Sequence, residues 1–487
     1  MAKQTGAVVG IDIGSQLIKI VEAKSGKAGV QLTGLAIAPT PDGVIENGVI
    51  INPAGLGAVI KKLLADNGIK AKQCVSAVSG QSSVVLRVIE VPKMNQAELA
   101  ETMKWEVERQ VPFSPTEVVM DFHPLEKPNQ APDAQNMEVL LAVAQQDMIN
   151  SHVETLIAAG LKPVAIDVEP LAAGRAVIDL SANGDGEKTV AILNIGDTNA
   201  DLCIFEGGML TFPSPPMQVA GVNITRAISE SLGESIEQAE RLKKEIGKID
   251  LERASTGSED LGAPGMDPDM PAGSETIAFG TQAAPFDTQP QVEAETEPEA
   301  APAADSPFDL SALEPAASSF TDTIDGPVFD LGGDAAAEGP ALDTSGPAAP
   351  VFDLSDEPEA PSIDASAEDN KLDESAQESS ATSGDLRTKV GDAIAPALMD
   401  LVSQLRLSLD YYKTRYQNQP EMIILSGGTA RLPNLDRFLA NELGMPVIVA
   451  NPMANVTVAT PRYSAQYISE VSPLFTICIG LAVRDML

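Results

Sequence analysis

The 487-residue sequence predicts an α/β fold with two lobes, a small module inserted in the first lobe and a long acidic insertion in the second. Three observations lead to this prediction. The chain is longer than one hydrophobic core accommodates. Alternating apolar strand patterns intermix with amphipathic helix patterns along most of its length. A glycine-turned pair of strands near the start recurs about 180 residues later, as expected for two related halves.

The first glycine-turned pair occupies residues 10 to 19, Gly-Ile-Asp-Ile-Gly-Ser-Gln-Leu-Ile-Lys. Gly10 and Gly14 would let backbone N–H groups approach an oxygen-rich ligand closely. Asp12 would hold a hydrated Mg²⁺, and Lys19 on the returning strand would neutralise phosphate charge. The alternative is an ordinary hairpin with a surface aspartate.

The second pair follows the same plan, because a strand ends in Gly196-Asp197-Thr198 and returns as a strand. Two such hairpins would clamp a phosphate chain from opposite sides. Between them, Glu169 stands at a strand-to-helix corner, where it would orient a water molecule. It serves equally well as a first-turn residue favoured by the helix dipole.

Two further stretches carry polar or glycine residues suited to a ligand. Glu240 and Lys243 lie three apart on one face of a predicted helix, a spacing that is usually a solvated surface. A buried strand ends in Gly427-Gly428, a bare turn suited to a flat ligand or to phosphate at a helix N-terminus. The helix predicted at 386–417 carries Leu401, Leu405, Leu409 and Tyr412 on one face.

The formal net charge of −38 is concentrated in one segment. From Ala254 to Asp385 there are thirty acidic residues and one basic residue, so the rest of the chain carries −38 + 29 = −9. Nucleic acid and anionic membrane surfaces are therefore excluded as electrostatic partners. Three dispersed cysteines and two histidines predict neither disulfides nor a zinc site.

Targeting signals are absent from the sequence pattern, and the apolar runs are too short to cross a bilayer. We therefore expect a cytoplasmic protein without direct membrane insertion. A segment at 37–160 is predicted as a separate small module, with helices at 53–67, 96–110 and 146–159. Its tryptophan, Trp105, is expected to pack in the core, with a place in a partner groove as the alternative.

The segment 251–385 is predicted to be disordered, because its few large apolar groups do not offset the entropy of ordering it. It contains a repeat of Phe-Asp, followed in three copies by Leu. The copies begin at Phe286, Phe308, Phe329 and Phe352. They are interpreted as repeated docking motifs or, equally well, as duplicated filler.

The order of these motifs resembles that of the actin-like ATPase superfamily, which includes heat-shock chaperone ATPases and the division protein FtsA. Within it, the chain resembles the PilM family of type IV pilus assembly proteins. That resemblance depends on Trp105-Glu106 with Val111-Pro112-Phe113, Gly160-Leu161-Lys162-Pro163, Arg406 to Tyr412, Gly444-Met445-Pro446-Val447 and Gly480 to Arg484.

The resemblance implies an actin-like, ribonuclease H-like fold of two lobes. Lobe 1 (subdomain 1A) would comprise 1–36, 161–190 and 460–487, with an SHS2 or 1C subdomain at 37–160. Lobe 2 (2A and 2B) would comprise 191–250 and 386–459, interrupted by the acidic linker at 251–385.

The resemblance also implies ATP and Mg²⁺ between the lobes. Asp12 would hold the metal through water, Ser15 and Lys19 would face the phosphates with Gly10 and Gly14, and Glu169 would position water. Asn194, Gly196, Asp197 and Thr198 would form the second phosphate loop. Glu240 and Lys243 would border ribose and base, with Gly427 and Gly428 under the nucleotide.

The implied partner is the N-terminal cytoplasmic tail of the inner-membrane protein PilN, bound in a groove beside the 1C subdomain. Other proteins of the pilus platform would be further partners, and the protein would lie at the periphery of the inner membrane. Whether it also forms a homo-oligomer stays open. Asn194 departs from the superfamily pattern, which has Asp there, so binding without appreciable hydrolysis is favoured. The alternatives are an actin-like ATPase or kinase and an FtsA-like division protein.

Overall fold

The structure is a computed structural model that describes residues 6–26, 29–79, 83–125, 135–180, 184–186, 188–251, 329–330, 373–459 and 463–486. These residues build two large sheets and one small sheet, with helices packed on them.

The first large sheet has seven strands in the order β14-β10-β6-β1-β2-β3-β17. It begins with the antiparallel strands β1 (Val8–Ile13), β2 (Leu17–Gly26) and β3 (Gly29–Pro39). Its other strands come from distant parts of the chain: β6 (Gln73–Val78), β10 (Lys162–Val168), β14 (Phe329–Asp330) and β17 (Thr457–Val458). β6 and β10 run parallel to β1, so the sheet is mixed.

Helices from both ends of the chain cover this sheet. They are α1 (Pro53–Asp66), α3 (Gln146–Ala158), α4 (Glu169–Val177), α9 (Ala465–Val471) and α10 (Thr476–Ala482), and a small strand pair, β4 (Ile45–Glu46) and β5 (Val49–Ile50), precedes α1. Every residue of α10 is buried, and the helix lies against β1 and α4. The helical stretch Ala465–Ala482 is apolar and long enough to span a membrane by composition, but 67% of it is buried inside the fold. Packing in this core accounts for its apolarity.

The second large sheet has five strands in the order β13-β12-β11-β15-β16. They are β11 (Thr189–Ile195), β12 (Ala200–Glu206), β13 (Met209–Pro213), β15 (Met422–Ser426) and β16 (Val447–Val449). Its helices are α5 (Gly221–Leu232), α6 (Ile236–Ile246), α7 (Asp373–Tyr416) and α8 (Leu435–Leu443). The predicted face of α7 is confirmed, since Leu401, Leu405, Leu409 and Tyr412 are all buried.

A small third sheet has the order β7-β9-β8 and its own core. It contains β7 (Val84–Pro92), β8 (Val118–Leu125) and β9 (Asn136–Gln145), covered by α2 (Gln96–Gln110). The self-contained part of the segment predicted at 37–160 therefore spans about 84–145. The rest of that segment comprises α1, β6 and α3, and its apolar residues belong to the core of the first sheet. β6 is a buried, apolar strand that pairs in parallel with β1 on one side and with β10 on the other.

Trp105 does not lie in a core, so the core-packing prediction is wrong. It is 69% exposed on the outer face of α2, while Leu99, Met103 and Val107 turn inward.

Two parts of the segment predicted as disordered are also described. α7 begins at Asp373, where acidic residues at the N-terminus favour a helix, and Phe329–Asp330 forms β14. The repeats beginning at Phe286, Phe308 and Phe352 lie outside the described residues.

Candidate nucleotide site between two glycine hairpins

The turns of the two glycine hairpins face each other across one cavity. Ser15 donates a hydrogen bond of 3.3 Å to Asp197, and Gln16 donates one of 2.7 Å to the other oxygen of the same carboxylate. Each turn closes in the same way, since Gly14 N–H donates to Leu17 and Gly196 N–H donates to Asn199. The sequence correctly predicted two equivalent turns that converge on one space.

Equivalent positions of the two hairpins carry polar pairs. In the first hairpin Asp12 is opposite Lys19, and the carboxylate lies 2.6 Å from the ammonium group. In the second hairpin Asn194 is opposite Asp201. The carboxylate missing from position 194 is therefore present on the neighbouring strand. Sequence reasoning missed Asp201, although pairing the strands about the Gly196–Asn199 turn would have found it.

Glu169 is the first residue of α4 and accepts a 2.7 Å hydrogen bond from the Ser79 hydroxyl. Burial raises its pKa to about 7, and the nearby charges of Asp12 and Asp201 add to the effect. Burial also raises the pKa of Asp201 to about 6. Lys19 lies near these acids. Burial lowers the pKa of Lys19, but the negative charge of Asp12 raises it by more, so the pKa of Lys19 is raised overall.

Gly10 does not line this cavity, so its assignment as a phosphate-loop residue is corrected. It lies in the middle of β1 against α10, where a Cβ would be 2.7 Å from the Ala482 backbone nitrogen and closer still to the Cys478 carbonyl oxygen. A close approach of strand and helix backbones therefore requires this glycine. Turn glycines and packing glycines look alike in sequence.

The opposite wall comes from α5 and α6. Lys243 lies 2.6 Å from Glu240 and donates hydrogen bonds to the Thr225 hydroxyl and to the carbonyl oxygen of Gly221. Thr225 in turn donates to Glu240. Burial raises the pKa of Glu240, but its hydrogen bonds with Lys243 and Thr225 outweigh this effect and lower the pKa overall. The predicted pair is thus a fixed, half-buried group and not a solvated helix surface.

The diglycine turn after β15 closes the cavity floor. Gly427 has a φ of +91°, and a Cβ there would meet the Ile195 carbonyl oxygen and lie 2.8 Å from the Asn194 side-chain oxygen. Only glycine fits both constraints. Ser426 donates to that Asn194 oxygen, so the diglycine turn is fixed directly to the second hairpin.

The cavity has a volume of about 350 Å³, within the usual range for small-molecule sites. Thirteen of the fourteen residues predicted for the site line it. They are Asp12, Gly14, Ser15, Lys19, Glu169, Asn194, Gly196, Asp197, Thr198, Glu240, Lys243, Gly427 and Gly428. Asp201, Ser79 and Arg431 are among the lining residues that sequence reasoning missed.

The donor set fits a hydrated divalent cation at the hairpin end of the cavity. Asp12 and Asp201 lie close enough to Glu169 there to raise its pKa, and Lys19 forms an ion pair with Asp12. Mg²⁺ prefers carboxylate oxygens together with retained water. In the described chain no group of three histidine, cysteine or acidic side chains is close enough to hold a metal directly, so a cation would bind through water.

Comparisons with known proteins agree with this architecture. Residues 10–250 match the family "Type IV pilus assembly protein PilM", and residues 191–467 match "Cell division protein FtsA". Cell division protein FtsA of Bacillus subtilis is 31% identical over 119 residues, which are 24% of this chain and 26% of that protein. The chain thus spans about a quarter of the length of this curated relative.

Among solved structures, the chain is similar to one of a PilM-PilN type IV pilus biogenesis complex, with a TM-score of 0.63, 23% identity and 99% coverage of both chains. It also matches ethanolamine utilization protein EutJ from Carboxydothermus hydrogenoformans, with a TM-score of 0.43 and 12% identity, over 98% of this chain and 89% of the other. The predicted actin-like α/β fold is confirmed. The family match covers the first hairpin, the small sheet and the second hairpin, and the chain belongs to the PilM family of type IV pilus assembly proteins.

Proposed function

We propose that this protein is an ATP-binding scaffold of the type IV pilus inner-membrane platform, which captures the N-terminal cytoplasmic peptide of PilN. One observation carries the nucleotide part: two equivalent glycine turns line one cavity together with Lys19, Lys243 and the Gly427–Gly428 turn. Backbone N–H groups at glycine turns and nearby lysines suit phosphates, and the glycine floor suits a flat base.

ATP binding should require Mg²⁺, for an electrostatic reason. The cavity is lined by five acidic side chains and four basic ones, Lys19, Lys243, Lys244 and Arg431. The lining therefore offers a bare triphosphate no net attraction, whereas a divalent cation would neutralise part of the charge of both the phosphates and the Asp12 region. When bound, Mg²⁺ supplies charge neutralisation of the β- and γ-phosphates.

We infer that hydrolysis is weak or absent. Position 194 offers an amide in place of a carboxylate, and the amide oxygen is occupied by the Ser426 hydroxyl. Burial gives Glu169 a pKa of about 7, so a large fraction of it is protonated at pH 7, even though the hydrogen bond from Ser79 favours the ionised form. A protonated carboxyl is a poor group for orienting an attacking water. Asp201 supplies the negative charge that Asn194 lacks, but it does so from the neighbouring strand and not from position 194 itself.

The peptide part of the proposal comes from the family and from the solved PilM-PilN complex to which the chain is similar. The small sheet of Val84–Gln145 stands beside the first large sheet, and a groove between them would take an extended peptide. ATP would hold the lobes in the arrangement that shapes this groove. The protein would then work in the cytoplasm, at the inner membrane through its partners.

Titration with a synthetic peptide copying the N-terminal tail of PilN tests the proposal. The peptide should bind the full chain more tightly with MgATP than without it. The Asp12→Asn variant should lose the MgATP effect, while Asp400→Asn, a matched change at an exposed residue of α7 that does not line the cavity, should retain it. Absence of peptide binding in both nucleotide states would contradict the scaffold role.

A working ATPase is the second candidate, favoured by the FtsA family match over residues 191–467 and by the two half-buried acids Glu169 and Asp201, whose pKa values are raised toward neutrality. Phosphate release under saturating MgATP separates the two. Turnover that falls at least a hundredfold in Glu169→Gln would establish an enzyme, because a general acid–base group contributes about 10²- to 10⁴-fold to the rate. If the unmodified protein releases phosphate no faster than Glu169→Gln does, the scaffold role is supported.

A further inference from the structure

Strand β10, next to one edge of the seven-stranded sheet, pairs with a short strand from the acidic insertion. Phe329–Asp330 pairs antiparallel with it, placing Asp330 opposite Ala165 and Phe329 opposite Ile166. On its other side β10 pairs with β6. In the described part of the chain, β14 is thus the final strand at this edge, and it also runs close to β8 of the small sheet.

An outer strand exposes a row of backbone N–H and C=O groups that another strand readily pairs with. Addition of an extended peptide to such an edge is a common way for proteins to bind peptides. Backbone pairing supplies most of the affinity, and the sequence of the peptide supplies the selectivity.

The paired dipeptide belongs to a repeated sequence. Residues 327–331 read Pro-Val-Phe-Asp-Leu, and residues 350–354 read the same five letters. A third copy at 307–310 reads Pro-Phe-Asp-Leu. Val and Phe have high strand propensity, and the proline at the start limits how far pairing continues. The repeat combines a short strand-forming core with a defined end, as expected of a docking motif.

We propose that the edge of β10 beside β8 is a peptide-docking site, and that the Pro-Val-Phe-Asp-Leu repeats of the chain's own acidic segment are its occupants. The copy at 327–331 contains Phe329–Asp330, the dipeptide of β14, and the identical copy at 350–354 is an equivalent ligand. Because both copies are tethered to the sheet, docking is intramolecular, at an effective concentration of up to the order of 1 mM. Weak pairing therefore suffices for high occupancy.

This site deepens the proposed function, and in that respect rests on it. A PilN tail that added a strand at the same edge would first have to displace a repeat. The acidic segment would then set the apparent affinity for the partner by competition.

Amide hydrogen exchange of the full chain tests the docking itself. One variant carries Phe329→Pro, Asp330→Pro, Phe352→Pro and Asp353→Pro, which remove the backbone donors from both identical copies. The control carries Phe286→Pro and Asp287→Pro, the same change in the shortest copy. In the first variant, exchange in the segment 162–168 should rise about tenfold, the ratio for a strand docked nine-tenths of the time. Exchange in 8–13 reports on the intact fold and should not change.

A synthetic Pro-Val-Phe-Asp-Leu peptide added to the four-proline variant should restore protection of 162–168, whereas a scrambled peptide should not. Exchange equal to that of the unmodified protein would overturn the proposal, as would an equal rise in the control. Neither readout uses nucleotide or PilN. Failure here therefore leaves the scaffold proposal intact, and failure of the tail titration leaves this site intact.

Discussion

The substitution Gly10→Ala distinguishes a packing glycine from a ligand-binding glycine. A methyl group at this position would lie 2.7 Å from the Ala482 nitrogen, against an ordinary contact of at least 3.4 Å, so the helix would have to move by at least 3.4 − 2.7 = 0.7 Å. The Cys478 carbonyl oxygen is closer still and demands a larger shift. Both obstacles are backbone atoms, so no side-chain rotation relieves the overlap.

α10 has no room to move away, because its other side is packed just as closely. A Cβ on Gly480 would lie 2.9 Å from the Ala172 Cα of α4. We therefore place Gly10→Ala at the upper end of the usual overpacking cost, about 3 kcal/mol. Since the unfolding entropy grows with chain length, and this fold is larger than the 150–250-residue domains in which 1 kcal/mol lowers the melting temperature by about 2 to 4 °C, about 3 kcal/mol corresponds to a melting temperature lower by about 3 to 6 °C.

Thermal unfolding followed by circular dichroism measures this shift, and Gly6→Ala is the matched control. Gly6 is exposed, and a Cβ there would meet only the Gln73 side chain at 4.0 Å. Well below its melting temperature, Gly10→Ala should bind MgATP as the unmodified protein does, since residue 10 does not line the cavity. An unchanged melting temperature together with lost MgATP affinity would refute this reasoning and restore Gly10 to the phosphate loop.

Three further predictions concern the site and the surface. Asn194→Asp would place two carboxylates directly opposite each other, so the melting temperature should fall without Mg²⁺ and recover with it; insensitivity to Mg²⁺ would mean that no cation binds there. The raised pKa values of Glu169 (about 7) and Asp201 (about 6) mean that the folded state binds more protons than the unfolded state between about pH 4 and 7. These two groups therefore make stability fall as pH rises through that window, and the double variant Glu169→Gln, Asp201→Asn should show a smaller fall; an unchanged slope of melting temperature against pH would argue against the shifts. Trp105 fluorescence should be red-shifted and readily quenched by iodide, and a blue emission maximum would contradict its exposure.

Local sequence patterns predicted much of the fold because the physical signals were local. Helix α2 begins and ends at the predicted residues, since Asn95 forms a capping box with Glu98 and Pro112 follows shortly after the helix. The buried face of α7 could be predicted equally well, because leucines at helical spacing form an apolar stripe that packs against a core. The convergence of the two hairpins followed from their shared turn pattern.

The parts that sequence did not predict depend on what a residue touches across the fold. Gly10 and Gly14 carry the same local signal, and only the position of α10 separates their roles. Trp105 sits beside three inward-facing residues of α2, and a shift of about one position around the helix decides its exposure. Asp201 gains its environment from burial between strands and not from any neighbour in sequence.

The two ends of the acidic insertion meet in the structure. The carbonyl oxygen of Lys248, just before the insertion, is only 3.2 Å from where a Cβ of Gly391 would stand on α7. Joining two points that already touch costs entropy that grows only with the logarithm of the loop length, about 0.6 kcal/mol for each doubling. Evolution can therefore lengthen, shorten or duplicate this segment, and with it the number of Phe-Asp-Leu copies, almost without affecting the folding of the nucleotide-binding lobes.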